Sequence, residues 1–144
     1  MATGFPPPLL DRLSYLLGKL HFRALEAEGE GLASLNVNVK QHAALSVLVE
    51  EGPMTQQELG QRMGIDRTTV VSVVDGLDDG GLVERRRSPA DRRAYLLTLT
   101  PSGCDAEERG RHLVAEAEKE ILEGLDEPDR ARLRELLVRA LGTG

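Results

Sequence analysis

Arginine is concentrated in one short stretch of this chain. Five of its 18 basic residues lie between positions 85 and 93, and Asp91 is the one acid among them. A guanidinium donates paired hydrogen bonds to phosphate oxygens. Because the net charge of the whole chain is −6, the stretch is a local cationic site in an acidic protein. This pattern indicates a phosphate-binding surface, with a solvated arginine loop as the alternative. The five residues are Arg85, Arg86, Arg87, Arg92 and Arg93.

Residues that could perform catalysis or hold a metal form no recognisable set. Nucleophile and base are not paired in any motif, and Gly60–Gly64 lacks the Lys-Ser/Thr ending of a P-loop. The histidines His21, His42 and His112 fall in three different predicted helices without the paired spacing of zinc ligands. We therefore expect a protein that is not an enzyme and that has no cofactor and no bound metal.

Length and composition indicate a single compact domain. A chain of 144 residues with 40% hydrophobic residues can bury a core without disulfides. The one cysteine, Cys104, agrees with a reducing compartment, and we expect it to be a buried, inert thiol. Since the sequence has no long apolar run and no secretory signal, we expect a cytoplasmic protein with no membrane partner.

Hydrophobic periodicity and capping residues predict six helices and one hairpin. Residues 1–8 contain three consecutive prolines and are predicted to be a flexible arm. Leucines spaced three and four apart follow and predict the first helix. We expect that helix to end near Glu28, because Gly29 and Gly31 come next.

Start signals place the next three helices close together along the chain. Asn38 and Thr55 each begin a capping box, with Gln41 and Glu58 three residues later. Asp66 caps the fourth helix. Only two residues separate the third helix from the fourth, which is typical of a helix-turn-helix, although a purely structural corner has the same pattern. The expected buried residues of the second and fourth helices are Ala44, Leu45, Leu48, Val49, Val70, Val74 and Leu77.

A hairpin and two long helices complete the predicted architecture. Residues 82–87 and 94–99 have strand composition and flank a turn, so the arginines lie on a hairpin. Thr100 followed by Pro101 predicts the start of the fifth helix, and the sixth runs from about Glu127 to Leu141. The fold class is therefore mainly α with a small β-wing.

Five short motifs occur in a fixed order along the chain. They are Asp66-Arg67-Thr68-Thr69-Val70, Asp75-x-Leu77, Gly81-Leu82-Val83, Asp91-Arg92-Arg93 and Leu97-Thr98-Leu99-Thr100-x-x-Gly103. Together with the order of helices and hairpin, they resemble the MarR family of bacterial transcriptional regulators over nearly the whole chain. The resemblance implies a winged helix-turn-helix repressor that binds an inverted repeat of double-stranded DNA as an intertwined homodimer.

The resemblance also implies a separate role for each segment of the chain. Residues 9–35 and 101–144 are expected to hold dimerisation helices, namely the first, fifth and sixth predicted helices. Residues 36–100 are expected to form the DNA-binding lobe, and residues 1–8 the arm. These leucine-rich terminal helices cannot bury their apolar stripes against one small lobe, which favours a dimer over the alternative of a monomer.

The expected DNA contacts lie on the fourth helix, at the start of the third helix and on the hairpin. Arg67 is the candidate for a paired contact to guanine. The resemblance places Arg93 in the minor groove, oriented by Asp91, unless this pair only staples the turn. Because strand side chains alternate, the other hairpin arginines cannot all contact phosphates at once. The further candidates are Thr68, Thr69 and Ser72 on the fourth helix, Gln56 and Gln57 on the third, and Arg85, Arg86, Arg87 and Arg92 on the hairpin.

The fourth helix departs from the family pattern. Many relatives carry a basic residue where this chain has Ser72 and Gly76, and Asp78 and Asp79 near its end repel phosphate. Gly76 also costs about 1 kcal/mol of helix propensity relative to alanine. We therefore expect the hairpin to supply a larger share of the affinity for DNA.

Regulators of this kind respond to a small molecule, an oxidant or a metal. The candidate effector-binding residues are Tyr15, His21, Phe22, His42 and Leu45; alternatively, Tyr15 and Phe22 are core residues and His42 is a surface or capping residue. Peroxide sensors of the family keep a reactive cysteine near the start of the first helix, where this chain has none. Two functional alternatives remain: a winged-helix module that binds proteins, and a redox-responsive regulator acting through Cys104.

Overall fold

The computed structural model describes residues 4–143, which form seven α-helices and one two-stranded antiparallel sheet. It divides into two compact units, one of residues 28–114 and one that combines the described residues before 28 with those after 114. The elements are α1 (Pro7–Leu10), α2 (Leu13–Leu32), a 3-10 turn (Ala33–Leu35), α3 (Val39–Glu51), α4 (Gln56–Met63), α5 (Arg67–Asp79), β1 (Val83–Arg87), β2 (Tyr95–Leu99), α6 (Pro101–Ile121) and α7 (Glu127–Ala140).

The N-terminal region contains more helix than the sequence predicts. Part of the expected arm, Met1–Thr3, lies outside the described residues, but Pro7 and Pro8 begin the short helix α1. Proline is tolerated there because the N–H groups of a first turn have no partner within the helix. The expected end at Glu28 is also wrong, since α2 continues to Leu32, which is fully buried. The burial of Leu32 outweighs the low helix propensity of Gly29 and Gly31.

The unit of residues 28–114, called the lobe below, has one hydrophobic core. The expected buried residues of α3 and α5 are buried, with one exception: Val49 is 46% exposed. Val73 is buried although the periodicity did not select it. The sequence pattern gives the direction of an apolar stripe, but how widely neighbouring elements cover it depends on the tertiary fold. The residues of the core with the least exposure are Leu32, Ala44, Leu45, Leu59, Val74, Leu77, Val83 and Leu97.

Caps fix where the helices of the lobe begin. The box at Asn38 is confirmed: its side chain accepts from the Gln41 N–H at 2.8 Å, and its own N–H donates to Gln41 Oε1 at 2.9 Å. At Thr55 only half of the expected box forms, because the Glu58 carboxylate accepts from the Thr55 hydroxyl at 3.2 Å. Gly64, with φ of 66°, closes the turn between α4 and α5 in a left-handed conformation that favours glycine.

The predicted hairpin is confirmed and forms the wing, defined here as residues 83–99. Val83 pairs with Leu99, Arg85 with Leu97 and Arg87 with Tyr95. The backbone N–H of Leu97 also donates to the Met54 carbonyl at 2.7 Å, which joins the wing to the segment before α4. The wing is therefore attached to the helix pair through backbone hydrogen bonds as well as through its buried side chains.

Thr100 and Gly103 attach the base of the wing to α6. The Thr100 hydroxyl donates to the Gly81 carbonyl at 2.6 Å and accepts from the Gly103 N–H at 3.0 Å, which confirms Thr100 as a cap. A Cβ at position 103 would lie 2.0 Å from the carbonyl oxygen of Leu82. The Leu-Thr-x-x-Gly motif is therefore a structural lock at this corner.

The second unit combines α1 and the first part of α2 with the end of α6 and α7. Several of its large apolar side chains are exposed in the single chain. Arg134 of α7 pairs with Glu118 of α6 at 2.8 Å. Within residues 4–143, no helix is long and apolar enough to cross a membrane. The exposed apolar residues of this unit are Leu10, Leu13, Leu16, Leu17, Phe22, Leu25, Leu136, Val138 and Leu141.

Candidate nucleic-acid interface

The face of α5 opposite the core presents short polar side chains. Thr68 and Ser72 are exposed on it, as is Arg67 in the first turn. Thr69 is half-buried, and its N–H donates to Asp66 Oδ1 at 2.7 Å. Val71 is not among the predicted contacts and is 38% exposed; its spacing of three residues from Thr68 was the signal that indicates this face.

Asp66 fixes the start of α5. Hydrogen bonds from the Thr69 side chain and then from its backbone N–H hold the pKa of Asp66 below its ordinary value of 3.8, and the charge of Lys40 adds a smaller effect. A lowered folded-state pKa means that the ionised cap stabilises the fold above the ordinary pKa. That contribution is lost as the pH falls through the folded-state value.

Asp66→Ala is expected to lower the melting temperature at neutral pH, because it removes the cap of α5. The difference from the wild type should shrink as the pH falls below 3.8. Asp66→Asn is the matched control, since asparagine caps a helix about as well as aspartate but carries no charge. This variant should lose only the part of the stability that depends on ionisation of the Asp66 carboxyl. Thermal unfolding followed by circular dichroism at several pH values checks this. A wild-type melting temperature for Asp66→Ala at neutral pH would contradict the assignment.

A cleft of about 460 Å³ opens between the first turns of α4 and α5. It brings together three of the predicted contacts, Gln56, Gln57 and Arg67, which come from two helices. Gly60 permits this approach, because a Cβ there would be 3.3 Å from Val70 Cγ1. The cleft is lined by Gln56, Gln57, Gly60, Gln61, Gly64, Ile65, Arg67 and Val70.

Gly76 has a packing role that its position in the helix concealed. A Cβ at this position would lie 2.3 Å from the side-chain nitrogen of Gln41, a residue of the capping box of α3. A larger residue here would push the Gln41 amide aside, and this flexible end of a side chain can move at modest cost. Gly76 is therefore a point of contact between α5 and the start of α3.

The wing arginines separate into two groups by strand alternation. Arg85 projects on the same face as buried Val83, and its guanidinium pairs with Asp75 at 2.8 Å and also with Asp78. Arg86 projects on the opposite face, is 64% exposed and pairs with Glu84 at 3.1 Å. Of these two arginines, Arg86 is the more exposed.

The tip of the wing carries a highly exposed cation of the predicted set. Arg93 is 95% exposed at its side chain; its N–H donates to Asp91 Oδ1 at 3.0 Å, and its Nε lies 3.7 Å from the same oxygen. Arg87 lies over the Tyr95 ring at 5.5 Å and donates to the Arg92 carbonyl at 3.1 Å. Among residues 4–143, Arg67, Arg87 and Arg92 take part in no ion pair. The acid at position 91 therefore orients Arg93 while the neighbouring arginines stay uncompensated.

The candidate effector residues divide between the two units. Tyr15, His21 and Phe22 belong to the unit that contains the start of α2, whereas His42 and Leu45 belong to the lobe. Phe22 is 67% exposed, so its alternative interpretation as a core residue is wrong. Tyr15 is half-buried, and its ring meets that of Phe5 edge-on at 5.7 Å.

His42 is 7% exposed, so the alternative of a surface or capping residue is wrong for it. Its Nε2 lies 3.0 Å from the carbonyl oxygen of Glu107 on α6. Gly110 leaves room for the ring, since a Cβ there would be 2.3 Å from it. Cys104 is exposed, contrary to the expectation of a buried thiol, because the first turn of α6 turns this side away from the core.

In residues 4–143 no group of three or more His, Cys, Asp and Glu residues is placed to hold a metal ion.

A helix pair with a tight turn, followed by a two-stranded wing, defines a winged helix-turn-helix protein. A family model described as MarR family matches residues 35–94.

A regulatory protein of Thauera aromatica, named for transcriptional regulation of the hcr operon, is 34% identical over 98 residues, or 68% of this chain and 59% of that protein. The chain spans little more than half of the length of two curated relatives, 59% and 53%. Two solved structures are more fully covered. The transcriptional repressor CouR bound to a 23-mer DNA duplex is 30% identical, with a TM-score of 0.85 and coverage of 98% of both chains.

The second is CouR from Rhodococcus jostii RHA1 bound to p-coumaroyl-CoA, which is 26% identical with a TM-score of 0.79 and coverage of 92% of this chain and 94% of that one. The chain therefore belongs to the MarR family of transcriptional regulators. The predicted family and the predicted fold class of mainly α with a small β-wing are both confirmed. The predicted count of six helices is wrong by one for residues 4–143. Pro7–Leu10, the end of the expected arm and the expected start of the first helix, form the separate helix α1, and α2 begins at Leu13.

Proposed function

We propose that this protein represses transcription by binding duplex DNA with α5 in the major groove and the wing tip in the adjacent minor groove. The observation that carries the proposal is the juxtaposition of an exposed polar face on α5 with uncompensated arginines on the wing of the same lobe. The DNA-bound structure of CouR, which covers 98% of this chain, supports this docking.

Each part of the surface has its own task. Thr68 and Ser72 face the base edges, and Arg67 donates to guanine from the start of α5. Gln56 and Gln57 line the cleft at the first turn of α4 and donate to phosphates, which sets the register without reading sequence. The wing contributes Arg86, Arg87 and Arg92 to phosphates and inserts Arg93, oriented by Asp91, into the minor groove.

Two copies of the chain form the DNA-binding unit. The exposed leucines of α1, α2 and α7 form apolar surface, and packing against a second copy would remove it from water. A twofold axis through such a dimer relates the two lobes, so that they read an inverted repeat. Its half-sites are expected about 10 bp apart, roughly 34 Å along the duplex.

A small-molecule effector releases the DNA in this proposal. CouR bound to p-coumaroyl-CoA supports a ligand-responsive mechanism. The candidate effector residues are Tyr15, His21 and Phe22 in one unit and, separately, His42 and Leu45 in the lobe. The effector need only bind more tightly to a dimer whose lobe spacing does not match the groove spacing. It then shifts the equilibrium by its difference in affinity for the two arrangements.

Selection of bound fragments from random duplex DNA tests the proposed function. We expect enrichment of an inverted repeat, two chains per bound duplex in sedimentation, and a steep loss of affinity as salt rises, with a log–log slope near −0.9 per phosphate contacted. Absence of enrichment together with absence of non-specific duplex binding at low salt would reject it in favour of a protein-interaction module. A screen for small molecules that release the selected duplex then tests the effector.

A further inference from the structure

Arg85 is directed toward the helix pair by the geometry of β1. Side chains alternate along a strand, and Arg85 shares its face with Val83, which is buried. Its cross-strand partner Leu97 is 1% exposed. The Arg85 side chain is itself only 33% exposed, which is about half the value for Arg86 next to it. Arg85 therefore lies at the junction of wing and helices.

The guanidinium of Arg85 bridges three side chains from two helices. One nitrogen, Nη2, lies 2.8 Å from Asp75 Oδ1 and 3.4 Å from Gln56 Oε1. The other, Nη1, donates to Asp78 Oδ2. Asp75 and Asp78 are three residues apart on α5, so they lie one turn apart on the same side of the helix. The rigid fork of arginine can meet both carboxylates at once, which the single ammonium of lysine cannot do in the same geometry.

We propose that Arg85 is a positioning residue for DNA binding. It holds the wing at a fixed distance from α5 and compensates the charge of Asp75 and Asp78, and it does not itself contact a phosphate. The proposal rests on the proposed function, because it explains how the DNA-binding surface described above is assembled. Because Asp78 is paired within the lobe, the repulsion of DNA phosphates expected from this acid of α5 is reduced.

A second consequence concerns Gln56. A guanidinium only donates hydrogen bonds, so the side-chain atom of Gln56 that faces Arg85 must be the amide oxygen. The amide nitrogen is then directed away from Arg85 and remains free to donate. Arg85 thereby orients Gln56 as a phosphate donor at the mouth of the cleft between α4 and α5.

Arg85→Lys separates the two roles, because it keeps the charge and loses the fork. A lysine contacts a phosphate well as a point charge, so a phosphate-contacting Arg85 would tolerate the change. A bridging Arg85 would not, and we expect the Kd for the selected duplex to rise about tenfold with an unchanged salt slope. Arg62→Lys is the matched control; Arg62 pairs with Glu51 at 3.2 Å, lies outside the proposed surface and should leave the Kd unchanged. Arg86→Ala is the positive control, and its salt slope should fall by about 0.9.

Hydrogen exchange of the DNA-free protein is a second test of whether Arg85 positions the wing, and it does not depend on DNA binding. The amides of residues 83–99 should exchange several-fold faster in Arg85→Lys than in the wild type, and Arg62→Lys should leave them unchanged. A Kd within twofold of the wild type for Arg85→Lys, or unaltered exchange in the wing, would overturn the proposal. Failure of the wild type to bind any duplex would reject the proposed function, while the exchange experiment would still decide whether Arg85 positions the wing.

Discussion

Gly103→Ala is expected to destabilise the fold by about 3 kcal/mol. The added Cβ would lie 2.0 Å from the carbonyl oxygen of Leu82 and 3.0 Å from its carbon, and both are backbone atoms that cannot rotate away. Relief requires moving either the start of α6 or the segment before β1. The same oxygen accepts from the Thr100 N–H at 3.1 Å, so either movement also breaks the lock at the base of the wing.

Chemical denaturation followed by circular dichroism measures this effect, and DNA binding by the remaining folded protein measures its consequence for the wing. Gly29→Ala is the control. Gly29 is also a helical glycine, and its added Cβ would meet no heavy atom within 4 Å in the described part of the chain, so we expect a gain of about 0.5–1 kcal/mol. Equal stabilities for the two variants would show that the corner at Leu82 relaxes at little cost.

Arg93→Ala is expected to weaken the binding of every duplex by about 1–3 kcal/mol, which is roughly 5- to 150-fold. Arg93 is the most exposed of the three wing arginines that form an ion pair, and its backbone N–H and Nε both lie against one oxygen of Asp91. A guanidinium already oriented in this way enters a narrow, electronegative groove with little loss of rotamer freedom. We therefore expect the loss to be similar for preferred and random sequences.

A salt titration of Arg93→Ala identifies the mechanism of this loss. Removal of a cation at the groove should reduce the log–log slope by about 0.9, because fewer counterions are released on binding. Arg109→Ala is the control, since Arg109 is exposed on α6 and pairs with Asp105 at 3.6 Å, outside the proposed surface. An unchanged slope for Arg93→Ala would assign the pair at positions 91 and 93 to the turn alone.

Local signals in the sequence were sufficient for most of the lobe. Asn38 and Asp66 begin helices as their capping chemistry predicts, and the hairpin follows from two short strand-like segments around a proline-containing turn. These features depend on residues a few positions apart, which is why one sequence reveals them. The alternation of strand side chains is seen in β1, where Arg85 pairs with the acids of α5 and the neighbouring Arg86 pairs with Glu84.

Tertiary contacts account for what the sequence did not reveal. The pairing of Arg85 with Asp75 depends on the distance between β1 and α5, and no spacing along the chain encodes it. The burial of His42 depends on Gly110 of α6, which is 68 residues away. The end of α2 was misplaced for the same reason, because a distant core covers Leu32. Local propensity is a weak guide wherever long-range burial decides the outcome.

The contact between Gly76 and Gln41 couples changes on α5 to the start of α3. A larger residue at position 76 would push aside the flexible amide end of Gln41, whose oxygen accepts from the Asn38 N–H, so a substitution there also acts on the capping box of α3. Thr68 and Ser72 are not coupled to a neighbouring helix in this way, since both are exposed and neither has a hydrogen bond to another helix in residues 4–143. Libraries intended to change the DNA preference of this regulator should therefore vary Thr68 and Ser72 before position 76.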